Sequence, residues 1–328
     1  MHCELVVPSL FAGPTVRLPA LELLLARARA SHSDPQSLYA WLAEMFEVDE
    51  PLPSGALTAF AYGAPAMEGL WARADPVHLR LLRERVILMP PPAFDISSEE
   101  AQAFCEALNA HFDGVLTFHP LRPEQWCVRL EQALDIDASS PLEMAGRDVH
   151  AGTSRATGAG RLQTLMNEAQ ILLHAHPLNE AREARGEPTV NSVWLWGSGR
   201  LPAAAEGAWQ AVIAEEPIAL GLARRSGARA LPVPPDGQAW LERAPEEGRY
   251  LVLLDSLRVP FALEDTAAYR ENLETLEKRW FAPLVDALRS GRIGMVSVHV
   301  PDSGVSFEAI RGDLRRFWRR PKAIGHYA

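Results

Sequence analysis

Three short apolar runs constrain this chain most. They are ELVVPSLF from Glu4 to Phe11, RYLVLLDSLRVP from Arg249 to Pro260, and IGMVSVHVPDSG from Ile293 to Gly304. Each is nearly free of charge and ends in Pro, Ser, Asp or Gly, the pattern of a strand buried on both faces of a parallel sheet. Parallel neighbours need long crossovers, and helical patterns fill the spaces between the runs. LPALELLLARARA has helical apolar spacing with Pro19 in its first turn, and SHSDPQSLYAWLAEMFEV offers Ser33 and Asp34 as caps. SSEEAQAFCEALNAHF is capped by Ser97 or Ser98, with Glu99 and Glu100 at the positive end of its dipole. A later helical stretch breaks at Pro177 and closes at Gly186, and DTAAYRENLETLEKRWFAPLVDALRSG stops at Gly291. The expectation is an α/β fold, a mainly parallel sheet with helices on both faces.

Shorter signals fill in the rest. RVILMP reads as a strand, GVLTFHP and WCVRL as a strand pair, and NSVWLWGSGRLP as a buried central strand ending in a loop. PIALGLARRSGARALPVPPDG reads as helix, turn at Gly227, then strand, and Pro51 to Pro65 as loop or helix edge. Pro141 to Gly160, which includes HAGTSRATGAGR, reads as an exposed loop or domain crossing.

At 328 residues the chain can form two domains or one large one. A formal charge of −10 argues against general nucleic-acid binding. The opening residues have no basic region ahead of an apolar one, so no signal peptide is expected, and no apolar run is long enough to span a bilayer. Cys3, Cys105 and Cys127 are scattered without zinc spacing, as reduced cytosolic thiols would be.

Ligand sites in such sheets lie beyond the carboxyl ends of the strands. That rule collects Ser9, Ser198, Arg200, Asp255, Ser256, Arg258, His299 and Asp302. Asp255 ends an apolar strand, as a metal or hydroxyl partner would, or as a helix-capping loop residue would. His299 is a ligand candidate or a satisfied core histidine. Gly197, Ser198, Gly199 and Arg200 form either a phosphate cradle or a tight turn. His174 and His176 are two apart and face different sides of a helix, which disfavours shared metal ligation. From Arg311 to Lys322 six basic residues surround Phe317 and Trp318. This is either a docking patch for an anionic ligand or protein partner, or a basic segment paired with the acidic remainder.

With these segments in place a family resemblance emerges. LLHAHPLNEAREARGEPTVNSVWLWGSGRLP resembles the stretch of archaeal-type cofactor-independent phosphoglycerate mutases in which a helix ends in His-Pro-x-Asn and a strand closes in Gly-x-Gly. LPALELLLARA, WARADPVHL, PIALGLARRSGARALPVPPDG and LVLLDSLRVP are similar, in order, to further segments of those enzymes. A bacterial branch of RpfE-type regulatory, phosphoglycerate mutase-like proteins is the nearest likeness. The resemblance implies an alkaline-phosphatase-like core over 1–93 and 186–328, with an inserted cap over 94–185. It also implies chemistry with two divalent metals and a phosphorylated serine.

Against that pattern, the opening strand ends in Pro8 and Ser9 rather than Asp. No Asp precedes His299, no Gly-His pair follows Asp255, and Trp196 stands where the resemblance places an Arg. Ser33, followed by Asp34, is the one nucleophile candidate; Asp255, His299 and Asp302 are the metal candidates. The resemblance therefore implies a degenerate metal site and a cytosolic regulatory or small-ligand-binding protein with no cofactor. The alternative is an active Mn- or Zn-dependent phosphotransfer enzyme with a rearranged ligand set, drawing also on His32 or His150.

Overall fold

Strand β1 (His2–Val6) lies between β10 (Arg249–Leu253) and β11 (Met295–Val300), parallel to both. The three apolar runs are thus the centre of one sheet, as expected. The computed structural model describes all residues except 15, 65–67, 83–84, 135, 137–138, 149–158 and 245–246. They fall into two compact units, Met1–Asp49 with Ala204–Ala328, and Glu50–Ala203. The limits expected from the sequence, 94 and 185, both fall inside the second unit. His150 and most of HAGTSRATGAGR lie outside the described residues.

The first unit carries a seven-stranded sheet. Beyond β10 it continues in parallel through β8 (Ala211–Ile213) to β9 (Arg229–Leu231). Beyond β11 it turns antiparallel through β12 (Val305–Ile310) and β2 (Arg29–His32). Residues of period two share a face. Cys3, Leu5, Val252, Val296 and Val298 therefore enter one apolar core with α1 (Pro19–Arg27), α8 (Gly237–Arg243), α10 (Thr266–Leu276) and α11 (Ala282–Ser290). Each such side chain contributes roughly 1.5–3 kcal/mol when fully buried. The opposite face carries Glu4, Ser297 and His299, and Trp41 of α2 (Leu38–Met45) lies against the His299 ring at 5.3 Å.

Several local readings differ from expectation. Ser37, not Ser33 or Asp34, caps α2, accepting from the Ala40 N–H at 3.1 Å. The helix expected to continue to Ala30 stops at Arg27, because Arg29–His32 pairs with β12 as an edge strand. The long late helix contains a π turn at Glu277–Phe281, just before Pro283, whose ring has no N–H for the helical ladder. The Glu277 carboxylate accepts from the Ala20 and Leu21 N–H groups at 2.6 and 3.2 Å, supplying from another helix the cap that α1 lacks.

In the second unit, β3 (Leu70–Leu82) is the organising strand. It pairs antiparallel with β4 (Arg85–Met89), β6 (Gln125–Leu130) and β7 (Ser192–Gly199), and β6 pairs with β5 (Leu116–Arg122). Helix α4 (Ser98–His111) has the expected capping box between Ser97 and Glu100. It packs with α5 (Ala159–His174) on one apolar cluster around Phe104 and Trp126. Pro177 opens α6 (Pro177–Ala184), and Gly186 follows it with a positive φ of 73°, both as expected. Within Pro51 to Pro65, read as loop or helix edge, residues Ser54–Ala61 form α3.

The tryptophan strand β7 is not part of the mainly parallel sheet. Its Trp196 is 2% exposed, and the indole N–H donates to Asp75 Oδ2 at 2.7 Å. Asp75 Oδ1 accepts from Arg73 Nη2 at 2.5 Å, and Arg73 Nη1 reaches Thr58 Oγ1 at 3.3 Å. All four side chains are buried.

Candidate functional site

The carboxyl ends of β1, β8, β10 and β11 lie side by side in the first unit. Past β1 the chain turns at Ser9, whose φ is +64°. Two side chains hold that turn. Asp302 Oδ1 accepts from the Ser9 N–H at 2.9 Å, and the Tyr269 hydroxyl reaches the carbonyls of Ser9 and Leu10 at 2.5 and 3.1 Å. Past β10 come Asp255 and α9 (Arg258–Ala262). The Arg258 guanidinium faces Glu216 Oε2 and the Tyr39 hydroxyl, each at 3.4 Å, and stacks 5.2 Å over the Tyr39 ring. Glu216 follows β8 and caps α7 (Pro217–Arg225). Arg258 is thus occupied by a carboxylate and an aromatic face and is not poised to clamp an incoming anion.

Burial pushes the Asp255 carboxyl up to about 6; the Arg258 charge opposes this, while Glu216 and Glu215 add to it. A carboxyl raised in this way favours the folded state when protonated. Stability therefore falls as pH rises from about 4 through 6, and the penalty is complete above that window. Asp255→Asn raises the melting temperature at pH 7.5 but not at pH 4, a comparison that thermal scans at the two pH values make directly. An equal change at both would remove Asp255 as the titrating group.

His299, at the end of β11, has Nδ1 2.9 Å from Ser306 Oγ and Nε2 3.7 Å from Glu4 Oε2. Glu4 is 3% exposed and also takes Arg249 Nε at 2.8 Å and His2 Nδ1 at 3.5 Å. Burial alone would raise the Glu4 carboxyl; the His299 and Arg249 side chains more than offset that and hold it at about 2.

The metal candidates do not assemble. Asp302 is engaged with the Ser9 backbone, and His299 turns Nδ1 to Ser306, while its Nε2 lies 3.7 Å from Glu4 without a hydrogen bond. Among the described residues no group of three or more His, Cys, Asp or Glu could hold a metal ion. These residues do not fit a two-metal centre. Ser33 is exposed beside the edge strand β2, with its Oγ 3.5 Å from two backbone carbonyls and no side-chain base bonded to it.

Gly197, Ser198 and Gly199 lie within β7, in the other unit. A Cβ at Gly197 would come within 2.5 Å of Ser54 Cβ, and one at Gly199 within 2.7 Å of Pro53 Cβ. The glycines admit the start of α3 against the strand, which replaces the phosphate-cradle reading, and Arg200 follows as an exposed residue. Trp196, which stands where the resemblance places an Arg, donates to buried Asp75.

In the basic segment, Arg316 and Arg319 donate to the Arg27 and Ala28 carbonyls at the end of α1, at 3.0 and 2.8 Å. Part of the segment is therefore a helix C-cap. Phe317 and Trp318 remain 78% and 67% exposed. Among the described residues no helix is long and apolar enough to cross a membrane.

Glu216, Tyr39, Tyr269 and Glu4 were not legible as site residues. Glu216 follows a three-residue strand too short to register, and Tyr39 and Tyr269 come from helices packed against the strand ends. For Glu4 a signal existed: a carboxylate at the start of an apolar central run needs partners if the run is buried.

No family model matches the chain. It is 37% identical over 62 residues to a probable 2,3-bisphosphoglycerate-independent phosphoglycerate mutase of Geobacter sulfurreducens, 19% of this chain and 16% of that protein. It is 23% identical over 320 residues to the enzyme of that name from Aeropyrum pernix, 84% of this chain and 76% of that one. The chain is cofactor-independent phosphoglycerate mutase-like. In four of the matched relatives the aligned part is only 16% to 49% of the relative's length. Among solved structures, the PH0037 protein of Pyrococcus horikoshii has the same fold. Its TM-score is 0.58 at 14% identity, over 94% of this chain and 87% of that one.

Proposed function

We propose that this phosphoglycerate mutase-like chain has a degenerate metal site on an alkaline-phosphatase-like core. In this reading it serves as a cytosolic regulatory or small-ligand-binding protein of the RpfE type rather than as a mutase. One observation carries the reading. The positions that would have to supply metal ligands at the strand ends are Pro8 and Ser9 after β1, His299 within β11 and Asp302 after it. Asp302 holds the Ser9 N–H and His299 Nδ1 faces Ser306, which leaves the His299 Nε2 3.7 Å from Glu4 and without a hydrogen-bond partner among the described residues. Two divalent cations need several convergent carboxylates and imidazoles to offset their desolvation. The inserted unit over 50–203 belongs to the same reading as a cap.

The ligand at the strand ends is not a simple anion in this reading. Asp255, Glu215 and Glu216 outnumber Arg258 there, so a neutral or cationic group is favoured over a phosphate. The second reading, an active Mn- or Zn-dependent phosphotransfer enzyme, is favoured by the names of the relatives and by the placement of Asp255 at a central strand end.

Elemental analysis separates the two readings, after incubation with Mn²⁺ and Zn²⁺ and desalting. We expect no retained stoichiometric metal and no phosphoglycerate mutase turnover. About two bound equivalents, with turnover lost in Asp255→Ala, would establish the enzyme instead.

A further inference from the structure

A cavity lies against the edge of the sheet in the first unit. It is a cleft of about 200 Å³ that runs along β8 and β9, from Ala211 and Arg229 at their starts past Leu231 to Pro232 and Pro234. Ala211 and Leu231 are among its apolar lining residues, and Trp240 of α8 and Tyr250 of β10 are its aromatic ones. The two rings meet edge to face, 5.7 Å apart at 77°, and are 5% and 2% exposed. Arg229 and Arg243 complete the lining.

The lining combines aromatic and apolar walls with two cationic groups. Arg229 and Arg243 are both exposed, so their guanidiniums stand at the rim of the cleft rather than inside it. An aromatic-walled cavity with two cations at its rim suits a ligand that carries a ring and an anionic group. The volume is below the roughly 300 Å³ at which drug-sized ligand sites begin, so the occupant is small.

We infer that this cleft binds a small aromatic acid, its ring against Trp240 and Tyr250 and its carboxylate between Arg229 and Arg243. The cleft shares no lining residue with the strand-end groups Asp255, Glu216 and Arg258. It lies in the same unit, so an acid bound here is an effector of the protein rather than a substrate of the strand-end groups. A carboxylate held by two guanidiniums gains charge-assisted hydrogen bonds that a neutral isostere cannot make.

The test uses 2-naphthoate as the probe on the full chain, read by isothermal titration calorimetry and by quenching of tryptophan fluorescence. Saturable binding at one equivalent is expected. It should weaken about tenfold in Arg229→Ala and in Arg243→Ala, and about tenfold for the uncharged 2-naphthalenemethanol. The double variant Phe317→Ser/Trp318→Ser, which removes the exposed aromatic pair, leaves binding unchanged. Absence of saturable binding overturns the inference. So does equal affinity for the acid and the alcohol, affinity retained when both arginines are replaced, or binding that disappears with Phe317 and Trp318. None of these outcomes bears on metal retention or mutase turnover.

Discussion

Asp75→Ala destabilises the second unit by about 3–5 kcal/mol, the cost of taking the carboxylate from a buried cation. Asp75 is 2% exposed and serves two groups. Oδ1 takes Arg73 Nε and Nη2 at 3.1 and 2.5 Å, and Oδ2 takes the Trp196 indole at 2.7 Å. Removal takes this carboxylate away from a guanidinium that is 5% exposed and an indole N–H that is 2% exposed, on adjacent strands of the sheet. The Arg73 guanidinium also stacks 5.3 Å from the Trp196 ring, so the defect spans β3 and β7 together. Asp75→Asn keeps an oxygen for Trp196 and loses less. Replacing Arg73 with Leu in the Asp75→Ala background removes the buried charge and recovers part of the loss, a non-additivity that identifies the cause. Guanidinium unfolding followed by near-ultraviolet circular dichroism measures it, and a loss below about 1 kcal/mol would show that the network is dispensable.

Glu4 governs the acid limb of stability. Its carboxyl titrates at about 2 in the fold against an ordinary 4.5. The sign follows from the depressed value: the stabilisation is fully present above about 4.5 and is lost as pH falls toward 2. The gap corresponds to about 3 kcal/mol. The groups facing Glu4 are His2 on its own strand, Arg249 on β10 and His299 on β11, with Glu308 of β12 near His2. Burial lowers the His2 pKa, so the fold prefers that ring neutral, and its protonation adds to the loss below about 6.5. Glu4→Gln is therefore expected to cost roughly 2–3 kcal/mol at pH 7 and little at pH 2.5, flattening the profile between them. Denaturation midpoints at pH 7, 4.5 and 2.5 check this, and parallel profiles for the two proteins would assign the acid transition to other groups.

Much of the first unit could be read before its structure. Leu5, Val252 and Val298 sit on runs whose lack of charge leaves burial on both faces as the only stable outcome, and the register confirms it. Ser97 with Glu100, Pro177, Gly186 and Gly291 carry information in their own backbone chemistry, so the helix ends they mark were legible. Strand β3 was not. Its Arg73, Asp75 and Pro76 read as polar punctuation, and only pairing with β7 supplies partners for them.

The same division runs through the site. Asp255, His299 and Asp302 were found because position after an apolar strand is a one-dimensional property. What each does depends on side chains distant in sequence. Asp302 serves Ser9 across 293 residues, and His299 faces Glu4 at the other end of the chain. Gly197 and Gly199 show the limit most clearly: in sequence a Gly-x-Gly is a turn or a cradle, but here α3 packs against the strand where a Cβ would be.

By itself the sequence determined the mainly parallel sheet, most helix ends and the relationship to phosphoglycerate mutases, because these rest on periodicity, capping and order along the chain. Only the tertiary structure decided that the tryptophan strand belongs to a separate antiparallel sheet and that Asp302 is engaged with the Ser9 backbone. It alone gathered Trp240, Tyr250, Arg229 and Arg243 around one cleft. The physical reason is that hydrogen bonds and ion pairs are satisfied between neighbours in space, which for this chain are mostly distant in sequence.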